Sequence, residues 1–141
     1  MDTSLYLSEF SVSKEMERDP FYAEAIQAVL VFCERRGIEC QRSADFVEYN
    51  EIERRIDDAD VFVALIDLYW NSSTWKGHEL SYSGGGPSMV GRVNGSGHAK
   101  RIAVLIDSAE LPSYLSRDPV QLLVVRGIPE LNEALNRVFL G

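Results

Sequence analysis

The chain has 141 residues, enough for one domain with a full core, and 45% of them are hydrophobic. Its net charge of -8 disfavours nonspecific nucleic-acid binding, which needs clustered Lys and Arg to displace counterions. A dinucleotide is still allowed, because backbone N–H groups at a helix start can hold a pyrophosphate whatever the overall charge.

Every apolar run is broken by charge within about ten residues, so none suits a membrane span. The opening MDTSLYLSEF has neither the basic flank nor the long apolar region of a secretory signal. The two cysteines, Cys33 and Cys40, lack metal spacing and read as a core thiol and a strand thiol. The expectation is a single cytoplasmic domain over residues 1–141, with no disulfide, metal or cofactor.

Leu5 to Phe10 reads as a short first strand, and Ser11 to Pro20 as a polar loop. Phe21, Ala25, Val29 and Phe32 recur at helical spacing, and Arg35, Arg36 and Gly37 supply a stop signal. Ile38 to Arg42 is a short outer strand. Asn50 to Asp57 is a polar helix with one ridge, Ile52 and Ile56. Ala59 to Ile66 is nearly continuous apolar, the pattern of a strand covered on both faces. Ser73 to Ser83 forms the next helix.

Gly84 to Lys100 breaks this rhythm with six glycines and little apolar content. It reads as a mobile flap or an oligomer contact, with a tolerated surface insertion as the alternative. The three-glycine run follows a helix rather than opening one, which argues against a phosphate loop. Arg101 to Asp107 is a second buried strand, Ser108 to Pro119 a loop, and Gln121 to Val125 a last strand. Pro129 to Leu140 closes the chain as a helix with Leu131, Leu135, Val138 and Phe139 on one stripe. The alternation predicts an α/β, three-layer domain with five parallel strands, right-handed crossovers and the flavodoxin-like order 2-1-3-4-5.

The segment Asp60 to Tyr82, DVFVALIDLYWNSSTWKGHELSY, carries the chemistry. Trp75 and Glu79 are four apart and share one helix face. A carboxylate beside an aromatic platform, at the carboxyl end of a buried strand, suits a site that holds a flat ring and acts on a sugar bond. On chemistry alone the plainer alternative is a packed Trp75 and a solvated Glu79.

This segment resembles the Toll/interleukin-1 receptor (TIR) domain, in which an apolar strand is followed by a tyrosine, a serine, a tryptophan and Glu-Leu. The corresponding residues are Tyr69, Ser73, Trp75, Glu79 and Leu80. The resemblance covers about twenty-five residues closely. It implies a flavodoxin-like domain in which the glutamate cleaves the nicotinamide–ribose bond of NAD, as hydrolase or as maker of cyclic ADP-ribose, in prokaryotic antiviral defence. NAD is then the substrate rather than a cofactor, and assembly through TIR-like surfaces into a homo-oligomer is implied as well. The first strand, LYLSEF, the short segment Asp45 to Asn50 without Pro-Gly, and the missing Phe-Trp box depart from the family pattern. A related pattern occurs in nucleoside 2-deoxyribosyltransferases, which also use a helix glutamate. A transferase of that kind and a non-catalytic TIR interaction module are the alternatives.

Topology places the motif independently. In an open parallel sheet, ligands bind beyond the carboxyl ends of the strands at the switch point, here between strands one and three. The segments after the first three strands converge there. Ser8 and Phe10 are candidates to touch a ribose or a ring, with a simple strand terminus as the alternative. Asp67 is a candidate for a ligand hydroxyl or a turn cap. Tyr69 and Trp70 are candidates to wall the pocket, and Lys76 to meet a phosphate or be solvated. His78 points about 100° away from Glu79 on a helix, so the two do not form a catalytic pair. His98, in the glycine-rich loop, is given no role.

Overall fold

The computed structural model describes residues 3–9, 20–43, 48–66, 74–97, 99–105 and 122–140. In chain order these form β1 (Ser4–Ser8), α1 (Pro20–Arg36), β2 (Glu39–Arg42), α2 (Tyr49–Asp58), β3 (Val61–Ile66), α3 (Thr74–Ser83), β4 (Lys100–Leu105), β5 (Leu122–Val125) and α4 (Ile128–Leu140). The strands make one sheet in the order β2-β1-β3-β4-β5, with every neighbouring pair parallel. This is the predicted topology. The two most continuous apolar runs, in β3 and β4, lie inside the sheet.

Strand alternation divides the core into two layers. Leu5, Leu7, Val61, Val63, Leu65, Ile102 and Val104 pack with Ala25, Ile26, Val29 and Cys33 of α1 and Leu131, Ala134 and Leu135 of α4. The opposite face carries Tyr6, Phe62, Ala64, Ile66 and Ala103 against Ile52 and Ile56 of α2 and Leu80 and Tyr82 of α3. Tyr6 and Phe62 are register partners, and their rings stack with centroids 5.7 Å apart.

Several local signals act as read. Pro20 opens α1, a position where its missing N–H costs nothing. Gly37 ends that helix at φ 65°, and Ile38 N–H donates to the Cys33 carbonyl at 2.9 Å. Cys33 is buried and Cys40 half-buried, both as free thiols. The predicted loop Ser11 to Pro20 lies outside the described residues except at Pro20, which belongs to α1 instead, and the predicted loop Ser108 to Pro119 lies outside them. Among the described residues no helix is long and apolar enough to cross a membrane.

The glycine-rich segment has a definite attachment within the chain. Expected as a mobile flap, an oligomer contact or a tolerated surface insertion, it is tied over residues 84–97 to α2 and α3. Gly84, Gly85 and Gly86 N–H groups donate to the Ser81 and Tyr82 carbonyls at 3.0–3.1 Å, satisfying the end of α3. Glu53, fully buried on α2, then collects the strap. Its Oε1 accepts from Ser88 Oγ at 2.6 Å, and its Oε2 accepts from Met89 N–H at 2.8 Å. Asp57, one turn on, accepts from Arg92 Nη2 and Ser96 N–H, both at 3.4 Å.

The glycines serve close approach as much as freedom. A Cβ on Gly95 would stand 2.0 Å from the Tyr82 carbonyl oxygen, and one on Gly86 would stand 2.5 Å from Ser81 Oγ. Gly95 N–H donates to the Gly86 carbonyl at 2.9 Å, closing the strap on itself.

Two outcomes test this account. Gly95→Ala forces a backbone shift and should lower stability by about 1–3 kcal/mol, read by thermal denaturation. Glu53 supplies the second. Burial alone raises its pKa, but the donors Ser88, Met89 and His78, and the His78 charge, outweigh burial and hold it below its ordinary value of 4.5. A depressed folded value means that Glu53 adds stability above its unfolded value and loses it as pH falls through the folded one. Urea unfolding from about pH 6 to about pH 3 should therefore show an acid-side loss that Glu53→Gln flattens.

Candidate active site

On β1, Leu5 and Leu7 face the α1 and α4 layer, so Tyr6 and Ser8 must face α2 and α3. Glu79 enters from the second turn of α3 and points at this pair. Tyr6 Oη donates to Glu79 Oε1 at 2.7 Å, and Ser8 Oγ donates to Oε2 at 2.5 Å. All three residues are 0% exposed. The distances match charge-assisted O–H bonds to a carboxylate. A carboxylate out of water needs such donors, since leaving a buried charged group without them costs several kcal/mol.

The arrangement stands at the carboxyl end of β1, beside β3. β2 lies on one side of β1 and β3 on the other, so this is the topological switch point. The neighbouring strand ends are fixed by a second buried carboxylate. Glu9 pairs with Arg42, and Ser43 Oγ accepts from Glu9 N–H and donates to the Glu9 carbonyl, both at 2.7 Å. Because Glu9 follows Leu7 by two and Arg42 is the register partner of Leu7, this pair lies on the α1 side of the sheet. It joins the ends of β1 and β2.

The structure brings two of the predicted site residues together, Glu79 and Ser8, and gives Ser8 a definite partner in the carboxylate. Trp75 and Lys76 lie in the first turn of α3, with side chains outside what is described. Phe10, Asp67, Tyr69, Trp70, Ser73 and His98 lie outside the described residues. His78 is directed at α2, where its Nε2 meets Glu53 Oε2 at 2.9 Å, while its neighbour Glu79 faces β1. The alternative of a solvated Glu79 is overturned by its full burial.

Tyr6 is the residue that sequence reasoning missed. The signal was present: a tyrosine between two core leucines, two residues before Ser8, needs an acceptor for its hydroxyl once buried. A groove of about 780 Å³ between α1 and α4, lined by Ala28, Val31, Phe32 and Ile128 among others, opens on the other face of the sheet from Glu79. Among the described residues no group of His, Cys, Asp and Glu is placed to hold a metal ion.

No family model matches the chain, and no curated protein matches it. Its fold is similar to the solved structure of the Clostridium botulinum CMP N-glycosidase BcmB, at TM-score 0.56 and 17% identity, covering 96% of this chain and 98% of that one. General stress protein 14 from Treponema denticola, solved in complex with FMN, aligns at TM-score 0.44 and 14% identity over 98% of this chain and 78% of that one. At this identity the first likeness shows a shared fold.

Tyr6→Phe removes one donor from a buried carboxylate while keeping the stacked ring. It should cost about 1.5–3 kcal/mol in chemical denaturation. Combined with Glu79→Gln, whose amide needs no charge-assisted donor, the cost should be less than additive.

Proposed function

We propose that this chain breaks the N-glycosidic bond of a nucleotide or nucleoside, with Glu79 as the carboxylate acting at the anomeric carbon. The observation that carries the reading is a wholly buried carboxylate whose two oxygens are each held by a hydroxyl, at the topological switch point of the sheet. The fold shared with a CMP N-glycosidase over nearly the whole of both chains supports the same class of reaction.

In such a reaction the C1′–N bond breaks and its electron pair leaves with the base. Positive charge grows on the sugar as an oxocarbenium-like state. Glu79 stabilises that charge or forms a C1′–O bond with it; water or a second base then completes the exchange and frees the carboxylate. Tyr6 and Ser8 hold the carboxylate at one orientation, so little reorganisation is needed as charge develops.

NAD is the second substrate candidate, and one feature favours it. The Tyr6 and Ser8 protons are both committed to Glu79, so neither is offered to a leaving base. Nicotinamide departs as a neutral ring and needs no proton, whereas cytosine does. The TIR-like segment around Trp75 and Glu79 supports the same choice, and with it a role in prokaryotic antiviral defence.

The test is chromatographic detection of released base from pure protein with CMP, with NAD, and with a deoxynucleoside plus a free base. Glu79→Gln should lower turnover on the order of 10²–10³-fold while keeping stability within roughly 1 kcal/mol of the parent. A folded Glu79→Gln protein with parental turnover refutes the assignment. If the parent releases no base from any of the three, a non-catalytic, self-assembling module takes its place.

A further inference from the structure

We propose that Glu53 and His78 are positioning residues for Glu79, setting the roll of α3 so that the carboxylate meets Tyr6 and Ser8; this rests on the catalytic reading of Glu79.

His78 and Glu79 are consecutive on α3, so their side chains leave the helix about 100° apart. One is fixed on α2 and the other on β1. His78 Nε2 stands 2.9 Å from Glu53 Oε2, and the two side chains are 7% and 0% exposed. The Tyr49 ring of α2 meets the His78 ring edge-on, with centroids 5.2 Å apart. A second tether follows one helical turn later, where Tyr82 Oη donates to Asp57 Oδ2 at 2.7 Å. His78 and Tyr82 are four apart on α3, and Glu53 and Asp57 are four apart on α2. Each helix thus presents one edge to the other through two ring-to-carboxylate bonds.

The two tethers define a rotation as well as a contact. A helix lying on a sheet can roll about its axis. A roll of roughly 10° moves a carboxylate about 6 Å from the axis by about 1 Å. A displacement of that size at a reacting group can cost about 10²-fold in rate. The bonds from Tyr6 and Ser8 resist such a roll only from the sheet side. The Glu53 bond resists it from the opposite edge, and the strap donors Ser88 and Met89 hold Glu53 itself in place. Apolar side chains would join two helices as well or better, since a buried charge pair is a weak source of net stability. Directional bonds define the roll, which apolar packing alone does less sharply.

The experiment measures kcat and KM for His78→Ala and His78→Gln on CMP and on NAD, beside Glu79→Gln. A crystal structure of the alanine variant accompanies the kinetics. His78→Ala should lower kcat about 10–100-fold with KM within about twofold of the parent. His78→Gln, whose amide can still donate to Glu53, should recover kcat to within about threefold. The variant crystal should show the Tyr6–Glu79 or the Ser8–Glu79 hydrogen bond broken.

A folded His78→Ala protein with parental kcat, or with both hydrogen bonds kept at 2.7 and 2.5 Å, overturns the proposal. Should His78→Ala fail to fold, Glu53→Gln is read by the same two criteria. Parental turnover in Glu79→Gln removes the catalytic reading. A dead Glu79→Gln beside a fully active His78→Ala removes only the positioning role. If neither substrate is turned over, the crystallographic criterion alone decides the placement of the carboxylate.

Discussion

A carboxylate withdrawn from water must receive from the protein the hydrogen bonds it gave up, and that requirement organises the α2 and α3 side of this sheet. Glu79 and Glu53 are both fully buried. Each can exist there only because several elements converge to supply donors. For Glu79 two hydroxyl donors come from the first strand; for Glu53 the donors come from α3 and from the strap that follows it. The two carboxylates therefore fix relationships that apolar packing leaves loose. One sets the distance and facing of α3 over β1, and the other ties α2, α3 and the strap together.

The division of labour between the two sheet faces follows from strand alternation. The α1 and α4 face is built from aliphatic side chains of the strands, with α1 and α4 adding Ala25, Val29, Leu131 and Leu135. The α2 and α3 face takes the larger polar-tipped rings, Tyr6 and Tyr82, along with Arg101, whose Nη1 reaches the Leu80 carbonyl at 3.4 Å beneath the end of α3. A buried cation near a helix C-terminus is favoured by the helix dipole. Tyr6, Tyr82, Arg101, Glu53 and Glu79 are thus collected on the α2 and α3 face, while the Glu9–Arg42 pair lies on the other.

Strands β3 and β4 were legible because the continuous apolar runs Val61 to Ile66 and Ile102 to Ile106 have few other fates in a chain of this size, and their order follows from alternating elements and right-handed crossovers. Glu79 was legible through its helical phase with Trp75 and the TIR-like motif. Tyr6 was not, because a tyrosine in a strand reads as one more core ring until its hydroxyl is asked for an acceptor. Glu53 was hidden for a different reason. In YNEIERRIDD it is one carboxylate among many, next to Ile52 on the buried ridge, and nothing local marks it as enclosed. Its enclosure comes from Ser88 and Met89, more than thirty residues away. The attachment of the strap was not legible because glycine reads as freedom. Here Gly95 and Gly86 act through their missing side chains, letting backbone pass within contact of α3.

In the proposed reaction, the choice of leaving group turns on proton supply. A hydroxyl has one proton, and on Tyr6 and Ser8 that proton is spent on holding the carboxylate. If either hydroxyl turned to protonate a departing base, Glu79 would lose a donor just when its charge is needed against the oxocarbenium ion. The described geometry is therefore suited to a base that leaves neutral, or to one protonated from outside the Tyr6–Glu79–Ser8 group. Cytosine needs the second route and nicotinamide the first. Comparing the pH dependence of turnover for the two substrates separates the routes, because only a reaction needing an outside acid acquires an alkaline limb from that acid.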